Sequence, residues 1–212
     1  MNIELINPHV MKILIAAREI DSISAISKRI NLSYGWTQKW IKELVGEGIF
    51  KERYRGIELQ ETKEYKEVLN LIKKISKNVN FYYSVLNLFG IKYCFTKTDA
   101  VYVWTNGGYN VARYKDYYPI FIKIRKSDYQ IFLFYCKKLG LKVNKKEGIF
   151  YSPEIAEDFN HIIKNDYPVE SLEETIKFMK EYIYNFQPAL EMIKEEYKKK
   201  LKVKYKEAVT NA

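Results

Sequence analysis

The feature that most constrains the fold is the close succession of short periodic segments over residues 8–59, with almost no chain left between them. Pro8 suits the first turn of a helix, and Val10, Ile13, Leu14 and Ala17 recur at helical spacing, which predicts a first helix over about 8–19. Asp21 or Ser22 can accept the free amide hydrogens of a second helix, whose apolar stripe is Ile23, Ile26 and Ile30. Asn31 and Leu32 make a tight turn and Ser33 can cap again. Thr37, Ile41 and Leu44 then give a third helix one inward face, stopping near Gly46 and Gly48. Ile49 to Arg53 and Ile57 to Leu59 read as two strands about the turn "YRG". Connections this short force the three helices to pack on one another, with the hairpin beside the last.

With Thr37, Ile41 and Leu44 inward, Tyr34, Gly35, Gln38, Lys39 and Lys42 fall on the outward side of the third helix. Trp36 and Trp40 stand one turn apart on its flank. Gln38 can pair bidentately with adenine, Lys39 can donate to guanine or phosphate, and Gly35 lets the helix start approach a partner closely. A packing role is the alternative for both tryptophans. Arg53 and Arg55 flank the hairpin tip, where a solvated basic pair is the alternative.

The stretch "SISAISKRINLSYGWTQKWIKELVGEGIFKERYRGIELQ" resembles the winged helix-turn-helix family in order and spacing over residues 5–62. The resemblance implies that the third helix enters the major groove of double-stranded DNA and that the wing lies along a phosphate backbone. The candidate DNA contacts are then Ser33, Tyr34, Gly35, Trp36, Gln38, Lys39, Lys42, Arg53 and Arg55.

Charge supports an anionic partner only in part. The chain of 212 residues carries a net +10, which favours nucleic acid or an acidic protein, although lysines can equally serve surface ion pairs. Residues 1–77 hold fourteen Lys and Arg against ten Asp and Glu, and Glu43, Glu47 and Glu52 lie near the proposed face. At 47% hydrophobic the chain has enough apolar material for one large or two small cores. The start "MNIELINPHVMKILIAAREI" lacks a leader pattern, and no run approaches ~20 apolar residues, so a cytoplasmic protein without membrane contact is expected. Cys94 and Cys136 have no CxxC spacing, and His9 and His161 are far apart. We therefore expect buried thiols, no metal and no cofactor.

Farther on, Tyr65, Val68, Leu69, Ile72 and Ile75 predict a linking helix over 61–77, and Gly90 ends a helix over 80–89. "IKYCF" reads as a strand, "TDAVYVW" as a short helix that Asp99 caps, "NGGYN" as a turn, "PIFIKI" as a strand and "SDYQIFLFYCKKLG" as a helix. "LKVN" and "GIFYS" suggest a hairpin. The segment "FGIKYCFTKTDAVYVWTNGGYNVARYKDYYPIFIKI" is similar to the core of the nucleotidyltransferase fold. In that fold a strand leads through a Gly-Ser or Gly-Gly turn to a helix, and an Asp-x-Asp or Asp-x-Glu enters the next strand. "FYSPEIAEDFNHIIKN" further resembles the Ser-Pro-Glu segment of abortive-infection antitoxins, which also begin with a winged helix. Here Thr96-Lys97 replaces the glycine turn, and Asp116 is followed at the second carboxylate position by Tyr118, so two metal ions could not be held. The expectation is a domain with no catalytic residues, in which Lys97, Arg113 and Lys115 are candidate anion contacts for an effector. His161 reads as a surface or packing residue, and no GxSxG, Walker A, HExxH or GxGxxG occurs.

Ser171 and Glu174 have capping-box spacing at the start of a helix to about Phe186, and Pro188 is expected to start another. Ile193, Tyr197, Leu201 and Tyr205 recur every four residues beside lysines, which suits a dimerisation helix, a basic arm or a tail packed on its own domain. The expected fold is α+β, in three parts: a winged helix with linking helix (1–77), a degenerate nucleotidyltransferase-like α/β domain (78–169) and C-terminal helices (170–212). The expected function is that of a DNA-binding transcriptional regulator acting as a homodimer. The alternatives are an antitoxin-like protein that represses its own operon and neutralises a partner, and an active nucleotidyltransferase.

Overall fold

The computed structural model describes residues 7–75, 78–110, 117–145, 147–201 and 203 of a mixed α and β chain. It divides into two compact units. One is Met1–Ile91 with Gln130–Leu141, and the other is Lys92–Tyr129 with Lys142–Ala212. The expected boundaries were residues 77 and 169. Instead the 130–141 segment joins the N-terminal unit, and the C-terminal helices belong to the second.

In the N-terminal unit, α1 (Pro8–Ala16) is capped by Asn7, whose side chain accepts from the amides of His9 and Val10. It ends three residues earlier than predicted because Ala17 turns extended (φ −64°, ψ 139°) and leads into the two-residue strand β1 (Ile20–Asp21). Helix α2 (Ile23–Ile30) is capped by Ser22 and closed by Asn31 in the left-handed region. Helix α3 (Tyr34–Gly46) is capped by Ser33. Strands β2 (Phe50–Arg53) and β3 (Gly56–Leu59) form the hairpin, and β1 adds to it antiparallel, giving the order β1-β3-β2. That third strand requires a glycine at 56: its φ is +155°, and a Cβ there would lie 2.3 Å from the Asp21 carbonyl oxygen. Helices α4 (Lys63–Ile75), α5 (Val79–Val85) and α7 (Tyr129–Leu139) complete the set. Ile13, Ile26, Ile41, Leu44, Phe50 and Ile57 are fully buried, and Phe89 stacks on Tyr135 with ring centroids 4.5 Å apart.

The second unit carries β4 (Tyr93–Phe95), α6 (Lys97–Trp104), β5 (Tyr117–Arg125), β6 (Lys142–Val143), β7 (Gly148–Ala156), β8 (Ile162–Lys164), β9 (Tyr167–Val169), α8 (Leu172–Glu181) and α9 (Ile183–Glu196). Its mixed sheet runs β6-β7-β5-β4-β9-β8. β5 and β7 pair in parallel along their whole length, from Tyr117 opposite Gly148 to Arg125 opposite Ala156, while β4 is antiparallel to β5. Ile120, Ile122 and Ile124 alternate into the core, as a half-covered strand requires.

Two expectations are corrected here. The 142–152 segment is not a hairpin: β6 runs parallel to β7, with Lys142 opposite Phe150 and Val143 opposite Tyr151. Asn144 (φ 54°), just after β6, and Gly148 (φ 59°), the first residue of β7, lie in the left-handed region. The hairpin of this unit is β8–β9, closed by Asn165 and Asp166, both at positive φ, as a two-residue primed turn demands. Pro188 does not start a helix but lies inside α9, where its missing N–H removes a single intrahelical bond. The break falls at Tyr182 (φ −118°, ψ 39°). The capping box of Ser171 and Glu174 is present. Among the described residues no helix is long and apolar enough to cross a membrane.

Candidate nucleic-acid interface

Helix α3 separates its two faces cleanly. Thr37, Trp40, Ile41 and Leu44 are buried, and Tyr34, Gly35, Trp36, Lys39, Lys42 and Gly46 are exposed. Ser33, itself exposed, holds the helix start by accepting from the Trp36 amide, and its carbonyl takes the Thr37 hydroxyl proton at 3.0 Å. Gly35 stands open, because a Cβ there would meet nothing within 4 Å. Gln38 sits half-buried at the edge of this face.

The two tryptophans take different roles. Trp40 is only 8% exposed and its indole N–H meets no acceptor among the described residues, a burial that costs about 1–3 kcal/mol. Trp36 is 54% exposed and Tyr34 52%. Between the indoles runs the Lys39 side chain, with its ammonium 5.2 Å from the Trp36 ring centre and 5.0 Å from that of Trp40. Such cation–π seats at an exposed site are worth about 0.5–1 kcal/mol each and fix the lysine over the aromatic flank. Neither Lys39 nor Lys42 pairs with a carboxylate among the described residues.

At the hairpin, Arg53 donates to the Glu58 carboxylate at 2.8 Å, so one wing cation is already paired within the chain. Arg55 lies over the ring of Tyr54, 5.5 Å from its centre, and that tyrosine is 96% exposed at the tip.

Among α1, α2 and α7 lies a buried polar cluster for which the sequence carries no local signal. Asp21 accepts from the backbone amides of Arg18 and Ser22 and pairs with the Arg29 guanidinium, both side chains being almost wholly buried. Arg29 also donates to the Tyr135 hydroxyl at 3.1 Å, and that hydroxyl donates to the Ala16 carbonyl. The Lys138 ammonium donates to the carbonyls of Leu14, Ile15 and Ala17 at 2.8, 3.0 and 2.6 Å, capping the C-terminus of α1. Burial, and then the Arg29 charge, pull its pKa down to about 7, against the opposing pull of the Asp21 carboxylate. Nothing in the sequence around Lys138 marks this role, because its acceptors lie more than a hundred residues away.

In the second unit, Lys97 has left-handed backbone (φ 53°). Its amide donates to the Glu170 carboxylate at 3.2 Å, and its ammonium lies 4.0 Å from Glu154. Lys123 stands opposite Glu154 in the sheet and approaches it to 3.8 Å. Burial raises the Glu170 carboxyl to about 7, and the Thr175 hydroxyl donates to it at 3.4 Å. The cap position of α6 is Thr96, without a side-chain cap hydrogen bond, so Asp99 in the first turn has another use than the expected cap. Its carboxylate is fully buried and accepts the Phe121 amide at 2.7 Å, clamping helix to strand. The Tyr118 hydroxyl donates to the Asn110 side chain at 3.4 Å. Arg113, Lys115 and Asp116 lie outside the described residues. Both cysteines are buried free thiols, whose pKa values burial raises. His161 is exposed beside Phe159.

The apolar stripe of the tail turns inward. Ile193 is fully buried, and Tyr197 packs edge-on against Trp104 and donates to its carbonyl at 2.9 Å. Tyr205 lies outside the described residues.

Comparison with known proteins adds no relative. No protein-family model, curated protein or solved structure matches this chain.

Proposed function

We propose that the N-terminal unit is a winged helix-turn-helix module that binds double-stranded DNA. The protein is then a transcriptional regulator whose second unit serves assembly, effector or partner binding without catalysis. The observation that carries this reading is the outward face of α3. The open Gly35, the half-exposed Trp36 ring and two lysines that have no carboxylate partner among the described residues share one helix side with Glu43, Tyr34 is exposed at the first turn, and the opposite side is sealed into the core. The order helix, capped turn, helix, hairpin matches the way such modules dock, with the wing beside the phosphate backbone.

The second unit supports a non-catalytic role through the way its charges are used. Lys97 and Lys123 both approach Glu154, and Tyr118 stands where the resemblance to nucleotidyltransferases calls for a second metal-binding carboxylate. A pair of modules on paired half-sites needs two copies, and Tyr182 and Tyr184, exposed where α8 meets α9, suit a contact by the helices after Ser171.

Binding to fragmented genomic DNA, followed by sequencing of what is retained, tests the reading. Enrichment of discrete duplex sites supports it, and retention of no DNA at 0.1 M salt rejects it. Transfer of labelled nucleotide with magnesium or manganese, to any acceptor, would overturn the non-catalytic assignment.

A further inference from the structure

We infer that the first turns of α3 read A·T base pairs, with Trp36 and Tyr34 packing on thymine methyl groups and Gln38 pairing with adenine. This inference rests on the DNA-binding reading of the same face. In modules of this kind the N-terminal residues of the recognition helix reach the base edges. In α3 these are Tyr34, Gly35, Trp36, Gln38 and Lys39, whereas Lys42 and Glu43 stand more than two turns from Tyr34 and lie beyond the helix start.

In the first turns of α3 the groups that would read guanine are missing or occupied. Helix α3 contains no arginine, the side chain that most often grips guanine. Lys39 is seated over the indoles of Trp36 and Trp40, and to reach a guanine it would have to leave both. Arg53 of the wing is held by Glu58.

What remains suits thymine and adenine. The C5-methyl of thymine is the one apolar group on the major-groove edges of the bases. Trp36 and Tyr34 expose about half their surface to water at the helix start, where burial against methyl groups is favourable. Gln38 supplies the donor and acceptor that adenine N7 and N6 require. Gly35 adds no side chain that would hold the backbone away.

The test uses the full-length protein and a duplex chosen from a random pool, followed by replacement of its thymines by uracil, which removes only the methyl groups. An A·T-rich core is expected in the chosen sites. Uracil should weaken wild-type binding by about fourfold for each methyl contacted. Trp36→Ala together with Tyr34→Ala, both changes at exposed positions, should bind the thymine duplex as weakly as wild type binds the uracil duplex and should no longer distinguish the two, and either change alone should remove part of the difference. A G·C-rich core, or equal affinity of wild type for thymine and uracil duplexes, overturns the inference while leaving DNA binding intact. Failure to bind any duplex overturns the DNA-binding reading itself.

Discussion

Two sets of charged side chains in the N-terminal unit are used in opposite ways. Lys39 and Lys42 stand on the outer face of α3 without a carboxylate partner among the described residues, Lys39 over two indole rings, whereas Asp21, Arg29 and Lys138 are turned inward and answered by the chain itself. Beyond the cation–π contacts of Lys39, such exposed lysines add little to stability, and their charge is open to an external anion. A buried one must have its partners supplied by the fold, and removing any partner strands the rest. The outer set is therefore available for binding and the inner set for architecture. The second unit extends the contrast, since Lys97 and Lys123 are both drawn to Glu154.

The largest effect should come from the inner set. Asp21→Ala leaves the Arg29 guanidinium buried without its carboxylate and should cost about 3–5 kcal/mol, read from urea unfolding. A loss below about 1 kcal/mol would erase the distinction between the two sets. Gly56→Ala comes next, because its Cβ would collide with the Asp21 carbonyl at a φ that side chains rarely adopt. About 2–3 kcal/mol should be lost, with the wing strands opening first in hydrogen exchange.

The second unit offers a pH test. Burial raises the Glu170 carboxyl from 4.5 to about 7 in the folded chain, so the folded state keeps a proton that the unfolded state releases between those values. The stability linked to this proton is complete below about pH 4.5 and is lost as pH rises through 7. Glu170→Gln removes the titration and should gain on wild type by about 2 kcal/mol between pH 5 and pH 8. Parallel melting-temperature profiles for the two proteins would show that Glu170 is not held neutral by its burial. The smallest effect belongs to the wing. Arg53→Ala with Arg55→Ala should weaken binding to all duplexes equally, by about 1 kcal/mol, in titrations of specific and random DNA. Loss confined to the specific duplex would mean that the wing reads bases.

Much of the N-terminal unit was legible because its signals are local. Caps at Ser22 and Ser33, the turn at Asn31 and the inward triplet Thr37, Ile41 and Leu44 each act within a few residues, and each stands where the pattern put it. The outward face of α3 followed from the same period. What escaped depends on distant chain. β1 is too short for any period, and the direction of β6 is set by β7 rather than by its own residues. Lys138 and Lys97 carry no local mark of their partners, the carbonyls ending α1 and the carboxylate of Glu154. The Asn165-Asp166 turn was readable as a hairpin signal, but its flanking strands are only three residues long.

The central claim, that the outer face of α3 meets DNA phosphates and bases, is tested most directly by the salt dependence of duplex binding for wild type and for Lys39→Ala with Lys42→Ala. The slope of log affinity against log salt should be steep for wild type and shallower by about two in the double variant, because each lost phosphate contact removes about one unit. Its unfolding free energy should fall by no more than about 1–2 kcal/mol, the loss of the two Lys39 cation–π contacts. An unchanged slope and affinity in a variant that remains folded would contradict the account.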